Sequence, residues 1–289
     1  MQCAFKIKKM QTIAALLQAA LRQSLPRIDA QMLMLHACRR ETHDRAWLIA
    51  HDDFGLNESQ LALWQSSVAR RFAGEPVAYI LGYKAFYGLK LAVNPAVLDP
   101  RDDTETLVDW ALELIPLDKS FKVLDLGTGS GAIAIAIASQ RPLAQITATD
   151  ASPDALQVAR SNAAAHQLII RFMQADERDP NWYSALTGEI FDLIVSNPPY
   201  IAEGDAHLAA LEHEPAMALT SGKDGLEAIR SITAHAAAHL NSEGHLLLEH
   251  GYDQARDVRE LLEKNAFSSA STRQDLSGIN RCTGARLTT

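Results

Sequence analysis

From Lys122 onward, short apolar runs alternate with helical stretches, and this alternation limits the possible folds more than any other feature of the chain. Strands are expected at 122–126, 145–149, 169–174, 190–195 and 244–249, with helices near 131–140, 153–165, 224–240 and 252–265. Such alternation builds a parallel sheet covered on both faces, because parallel strands need crossover connections and those crossovers are helices. Segments 267–273 and 280–287 carry a weaker signal for a closing pair of strands.

The upstream part follows different rules. Helical periodicity predicts Gln11–Arg22, Ala30–Arg39, Asp44–His51 and Glu58–Phe72, separated by Ser24-Leu25-Pro26 and by the turn Asp52-Asp53-Phe54-Gly55. A small helical bundle is therefore expected over 1–75. Tyr79–Tyr83 and Leu89–Val93, flanking Gly88, read as a β-hairpin within a linker at 76–98. Asn94-Pro95 and Asp99-Pro100 then break the chain, and the alternating part is expected to occupy 99–289, opening on a helix started by Asp102-Asp103-Thr104-Glu105.

The first strand of the alternating part runs into Leu124-Asp125-Leu126-Gly127-Thr128-Gly129-Ser130-Gly131-Ala132. Glycines at a strand-to-helix turn allow a tight bend and a close approach of backbone to ligand. Gly127-x-Gly129-x-x-Ala132 also fits a dinucleotide fingerprint, but Asp125 just before the turn would repel a pyrophosphate. It suits instead the cationic amino end of S-adenosyl-L-methionine. Asp150, which closes the next strand, is placed to accept hydrogen bonds from ribose hydroxyls with either cofactor. At the tip of the following strand Asp176 can accept an exocyclic amine and Trp182 can stack on a purine, although a turn residue and a core indole are the plain alternatives.

A second motif ends the strand Phe191–Val195: Ser196-Asn197-Pro198-Pro199-Tyr200. Two prolines remove two backbone donors and restrict Asn197, so the local carbonyls are not consumed by helix or sheet. On its own this is a rigid turn. Beside a methyl donor it becomes a clamp for a planar NH2 group, with the Asn197 amide oxygen and the Pro198 carbonyl accepting its two hydrogens and Tyr200 walling its plane.

Other chemistries fit less well. His235 and His239 have a helical metal-ligand spacing but no third ligand, so no metal is expected. Thr128 stands where a nucleophile elbow needs Gly, and there is no Walker A sequence. Cys3, Cys38 and Cys282 are odd in number and widely spaced, which suggests neither a disulfide framework nor zinc and points to a cytoplasmic protein. No apolar run approaches the roughly 20 residues that cross a bilayer. The N-terminal stretch, interrupted by Gln11 and Gln18, reads as an amphipathic helix, with Met10 an alternative start and residues 1–9 a poorly ordered extension. Charge is unevenly divided: 12 Lys/Arg against 7 Asp/Glu in 1–98, and 15 against 28 in 99–289. An acidic catalytic part disfavours a long phosphate backbone as its partner.

Taken with the motifs, the residues place a resemblance. Asp125–Gly131 together with Asn197–Tyr200 resembles the class I S-adenosylmethionine-dependent methyltransferases that modify adenine N6 or glutamine N5. More narrowly, Gly74–Gly82, Phe86-Tyr87-Gly88-Leu89, Pro100-Arg101-x-Asp103-Thr104-Glu105, Glu214-Pro215, Gly222-x-Asp224-Gly225-Leu226 and Leu247–Gly251 resemble the HemK/PrmC glutamine methyltransferases of peptide-chain release factors, over essentially 10–289. The resemblance implies an α/β, Rossmann-like, seven-stranded methyltransferase domain preceded by a helical domain that recognises the substrate protein. It implies methylation of the Gln of the Gly-Gly-Gln tip of class I release factors, in translation termination. Carried over, Gly127, Thr128, Gly129, Ser130 and Gly131 form the methionine-side loop, Asp150 is the ribose acid, Trp182 the adenine-side aromatic, and Asn197, Pro198, Pro199 and Tyr200 the glutamine clamp, with Asn197 also expected to touch the cofactor. Asp99 and Asp102 depart from the family pattern, which would soften the linker, and Glu177–Asn181 looks inserted. The rival readings are a glutamine methyltransferase of a ribosomal protein, an adenine-N6 enzyme with a basic cleft and base flipping, and a non-catalytic adaptor, which would carry a damaged loop or clamp.

Overall fold

The computed structural model describes residues 12–176 and 182–288. The expected N-terminal extension and the stretch Glu177–Asn181 lie outside the described residues. The chain divides into two compact units, one ending at Gly82 and one beginning at Tyr83, so the hairpin groups with the sheet. Among the described residues no helix is long and apolar enough to cross a membrane.

The first unit contains α1 (Ile13–Arg22), α2 (Arg27–Ala37), α3 (Arg45–Ala50), α4 (Glu58–Phe72) and α5 (Val77–Leu81). Its interior is formed by Ile13, the run Leu33-Met34-Leu35, Leu48 and Trp64. Helix α4 starts with a reciprocal cap: Asn57 Oδ1 accepts from Gln60 N at 2.9 Å, and Gln60 Oε1 accepts from Asn57 N at 3.0 Å. Asn57→Ala removes one side of this pair, and a loss of about 1 kcal/mol is expected in denaturant unfolding. The strand expected at Tyr79–Tyr83 is instead α5. Pro76 pre-sets the entry and Gly82, at φ +78°, ends the helix in the left-handed region. The Pro-to-Gly bracket outweighs the strand preference of Tyr79 and Ile80.

The second unit opens with a hairpin of β1 (Tyr83–Phe86) and β2 (Leu89–Ala92). Helix α6 (Glu105–Leu114) follows, then β3 (Phe121–Leu126), α7 (Ala132–Gln140), β4 (Ala144–Asp150), α8 (Pro153–Ala165), β5 (Arg171–Gln174) and β6 (Phe191–Ser196). Helix α9 (Glu227–Ala236), β7 (Leu240–Glu249), α10 (Ala255–Lys264), β8 (Phe267–Gln274) and β9 (Asn280–Leu287) complete it. The seven-stranded sheet has the order β5-β4-β3-β6-β7-β9-β8; β3 to β7 are parallel, and β9 runs antiparallel to β7 and β8. Strand β7 begins earlier than expected. The strand expected at 244–249 opens instead at Leu240, with Glu243 at φ +65° and an irregularity in the β6–β7 pairing between Phe191 and Leu193.

Strand alternation divides the core in two. Val123, Leu193, Val195 and Leu247 face the layer that contains α6 and α7, whereas Leu124, Leu126, Ile194, Leu246 and Leu248 face α9 and α10. Helix α7, Ala-Ile-Ala-Ile-Ala-Ile-Ala-Ser-Gln, is buried from Ala132 to Ala138, which explains why it is apolar all round. Strand β3 lies between β4 and β6, so the chain direction across the sheet reverses there. In an open α/β sheet such a reversal leaves a crevice at the carboxyl ends of the strands.

Candidate active site

The strand register assembles the site. Leu126, Thr149 and Ser196 stand side by side on β3, β4 and β6, and Leu248 continues the row on β7. The next residue on each strand is therefore Gly127, Asp150, Asn197 and Glu249. Residues distant in sequence reach one sheet edge because they share a register position.

A cavity of about 240 Å³ lies at this edge. Gly127, Thr128, Gly129 and Ser130 line one side, Asp150, Asp176 and Trp182 another, and Asn197 and Pro199 a third. Val97, Leu98 and Pro100 face it from the segment before α6, with Pro215, Met217 and Ala218 from the loop after β6. Both Asp176 and Trp182 are on the wall. Trp182, at φ +64°, presents its ring to the loop: a Cβ built on Gly127 would lie 3.0 Å from its Cζ3.

The loop is held from below. Asp125 is fully buried and lies outside the cavity lining. Its Oδ2 accepts from Thr128 Oγ1 at 2.6 Å and from Ala134 N, an otherwise unpaired donor of the first turn of α7, at 3.2 Å. Burial pushes its carboxyl up to about 7, against the pull of those two hydrogen bonds. Direct contact with a ligand's amino group, expected from the sequence, thus gives way to a supporting position beneath the loop. Gly131 is absent from the wall as well, packing against α7 and α8 at φ +84°. Asp150 accepts from Gly129 N at 2.8 Å through Oδ2 and from Ser152 N at 2.9 Å through Oδ1. Its carboxyl is also raised by burial, and each oxygen keeps a lone pair for a ligand.

Asn197 points its amide nitrogen at Thr104 Oγ1, 3.2 Å away. Asn197 is also on the cavity wall. Pro198 is buried and, like Tyr200, is not part of the lining, so of the expected clamp only Asn197 and Pro199 reach the cavity wall. The Tyr200 hydroxyl donates to Glu249 Oε1 at 3.3 Å, and its backbone carbonyl accepts from Gln254 Nε2 at 3.0 Å. These bonds fix the ring beside the cavity.

Three residues of the arrangement were not singled out as site residues from the sequence. Thr104 and Glu249, which hydrogen-bond Asn197 and Tyr200, are buried, and in the sequence they stand only as members of longer motifs. Asn162, on α8, donates to Ser130 O at 2.9 Å and to Ala92 O at 3.0 Å, and accepts from Ala92 N at 2.7 Å, tying the loop to β2. A lone Asn inside an Ala-rich helix carries no sequence signal for that role. The segment with Asp99 and Asp102 is tied down rather than softened. Arg101 pairs with buried Glu214, Asp99 N donates to Glu214 Oε2 at 3.2 Å, and Asp102 pairs with Lys84 at 3.0 Å. His235 and His239 turn their Nδ1 atoms to different carbonyls, those of Ser231 and Glu189, and His239 stacks on Tyr183.

Comparison with known proteins accounts for this geometry. A family model described as the PrmC N-terminal domain matches residues 10–82, and one described as the methyltransferase small domain matches residues 104–222. A release factor glutamine methyltransferase of Xylella fastidiosa (strain Temecula1 / ATCC 700964) is 48% identical over 272 residues, 93% of this chain and 96% of that protein. One of Coxiella burnetii is 44% identical over 261 residues, 90% and 92% of the two chains. Among solved structures, a methyltransferase from Pyrococcus furiosus shares the fold, with a TM-score of 0.52 at 19% identity over 78% of this chain and 98% of its own. With near full-length identity to such relatives and a methyltransferase sheet whose loop, acid and Asn-Pro-Pro-Tyr turn meet at one edge, this chain belongs to the release factor glutamine methyltransferases.

Proposed function

We propose that this chain transfers a methyl group from S-adenosyl-L-methionine to the side-chain amide nitrogen, N5, of the Gln in the Gly-Gly-Gln tip of class I peptide-chain release factors. The observation that carries this reading is the shared register position of Gly127, Asp150 and Asn197 around one cavity, with the Asn197 amide nitrogen engaged by Thr104 and its oxygen left over. The cavity suits the cofactor by its chemistry. Gly127 and Gly129 offer backbone without side chains, and a Cβ at Gly127 would crowd Trp182. Asp150 would accept from the ribose hydroxyls, Asp176 and Trp182 would take the adenine, and Gly127 to Gly131 would cradle the methionine end, with Asp125 bracing that loop.

When bound, S-adenosylmethionine supplies an electrophilic methyl on a sulfonium. The protein's own contribution is positional, because a glutamine amide is a weak nucleophile whose lone pair is delocalised into its carbonyl. Asn197 Oδ1 and the Pro198 carbonyl would accept the two amide hydrogens, fixing the plane of the nitrogen and its lone pair toward the methyl, while Pro199 and Tyr200 bound the space around it. The product nitrogen is acidic until it loses a proton, and water suffices to take it. The helical unit would recognise the release factor, and the reaction would take place in the cytoplasm without a metal.

Asp150→Ala is expected to weaken S-adenosylmethionine binding by about 10–100-fold in calorimetry, the loss of charged hydrogen bonds worth roughly 1.5–3 kcal/mol, while Asp150→Asn loses less. The substrate class is tested by offering labelled S-adenosylmethionine with a purified release factor, a ribosomal protein mixture and DNA in parallel. Label on the release factor is expected. Label confined to ribosomal protein or to DNA would select one of those substrates instead, and the acidic balance of 99–289 weighs against DNA.

A further inference from the structure

Behind the Asn197 side chain lies a buried chain of polar groups that the reading above does not use. Asn197 Nδ2 is 3.2 Å from Thr104 Oγ1, and Thr104 is itself buried at the mouth of α6. Beyond it is Glu249, fully buried at the end of β7 and one residue past Leu248, which pairs with Ser196. The Glu249 carboxylate receives the Tyr200 hydroxyl on Oε1 at 3.3 Å. Among the described residues its Oε2 accepts no hydrogen bond, although the Thr104 hydroxyl lies near enough to lower the carboxyl. A buried acid placed against both halves of the Asn-Pro-Pro-Tyr turn is costly to keep there without a role.

The chemistry of a hydroxyl gives it one. Thr104 has a single proton. If it is directed at an ionised Glu249, Thr104 can only accept from Asn197, which forces the amide nitrogen toward Thr104 and the amide oxygen toward the cavity. If Glu249 is protonated, the Thr104 hydroxyl is free to donate, and the Asn197 amide can turn over and present its NH2 group where an acceptor is needed. We infer that Glu249, acting through Thr104, is a positioning residue that sets which end of the Asn197 amide faces the substrate.

The surroundings give this chain a working range near neutrality. Burial pushes the Glu249 carboxyl up to about 7; the Thr104 hydroxyl, the Arg281 charge and the Tyr200 hydroxyl draw it back, and Asp103 opposes them. Arg281, from β9, is shared between Asp103 and Asp275 at 3.1 Å each. Cys282, paired with Glu249 across β7 and β9, is held protonated by burial. His250 is kept neutral by burial, with Nε2 on Thr283 Oγ1 and Nδ1 on the Gly251 carbonyl. With Tyr200 also raised by burial, Glu249 is the group of this set that changes charge near pH 7. Its ionised form, which prevails above that pH, is the one that orients Asn197 correctly.

This inference rests on the proposed function for its activity readout, so the test pairs activity with a measurement that needs no substrate. In the full-length protein, the Asn197 side-chain NH2 resonances, assigned by their loss in Asn197→Ala, are followed with pH by NMR. They are expected to titrate with a midpoint near that of Glu249, and to lose the titration in Thr104→Val and in Glu249→Gln. In kinetics, kcat/KM for a release factor should rise with pH through the same midpoint. Thr104→Val should flatten that limb and lower kcat by about 10–100-fold with S-adenosylmethionine affinity kept, and Thr104→Ser should restore both. Asp125 is also raised to about 7, but a limb due to it would survive in Thr104→Val. Asn197 resonances that ignore pH, or a Thr104→Val enzyme with the wild-type pH limb, would overturn the inference. If the wild-type protein methylates no release factor, the proposed function falls while the NMR titration still decides this point.

Discussion

Asn197→Ala is expected to lower kcat for methyl transfer by about 10²–10³-fold, the cost of removing one preorganised acceptor aimed at the reacting group. Affinity for S-adenosylmethionine should stay within about threefold, because most contacts assigned to the cofactor belong to Asp150, Asp176, Trp182 and the glycine loop. The separation of the two effects is the informative part. The Asn197 side chain hydrogen-bonds Thr104 and does not brace the loop, whose supports are Asp125, Asp150 and Asn162. Single-turnover transfer and equilibrium titration on the same sample would report the two quantities, and a parallel loss of both would mean that the turn is structural.

Gly131→Ala should be the most damaging of the loop substitutions. The residue has φ +84°, and an added Cβ would fall 2.9 Å from Ile135 Cδ1, 3.2 Å from Ala159 Cβ and 3.4 Å from Ala159 Cα. Ile135 is fully buried and Ala159 is part of the rigid α8, so neither yields easily. Left-handed strain of about 1–2 kcal/mol and overpacking of about 1–3 kcal/mol combine to a destabilisation of roughly 2–5 kcal/mol. For a unit of this size that is a fall in Tm of about 4–20 °C by calorimetry, with weakened cofactor binding because the loop and the start of α7 must shift. Gly129→Ala is the contrast. A Cβ there meets nothing within 4 Å, so only the backbone strain at φ +55° remains and the fall in Tm should be smaller.

The sheet and its site were legible in the sequence to different depths. The strands announced themselves because doubly buried strands are nearly continuous apolar runs, as in Phe191-Asp192-Leu193-Ile194-Val195, where only Asp192 is polar, and because each ends in residues whose chemistry is unusual for a loop. Asp150 and Asn197 could be picked out for that reason. What the sequence does not carry is the register that aligns them, or the direction of each side chain relative to the cavity. Asp125 stands just before the glycine turn, where an acid meeting a ligand could stand, yet the loop folds over it. Pro198 and Tyr200 belong to the motif but are not part of the cavity wall: Pro198 is buried, and the Tyr200 hydroxyl is held by Glu249. Thr104, Asn162 and Glu249 act by long-range hydrogen bonds, which leave no local pattern. The short helix at Val77–Leu81 is hidden in the sequence because its residue types favour a strand and only the flanking Pro76 and Gly82 argue otherwise.

The most direct measurement is transfer of label from S-adenosylmethionine to a purified release factor beside its variant with the tip Gln replaced by Ala, followed by peptide mapping. The account predicts label on the intact factor alone, carried by the tip peptide on the glutamine side chain, and none with the Asn197→Ala enzyme. Equal labelling of the tip variant, or label mapping to another residue, would contradict it.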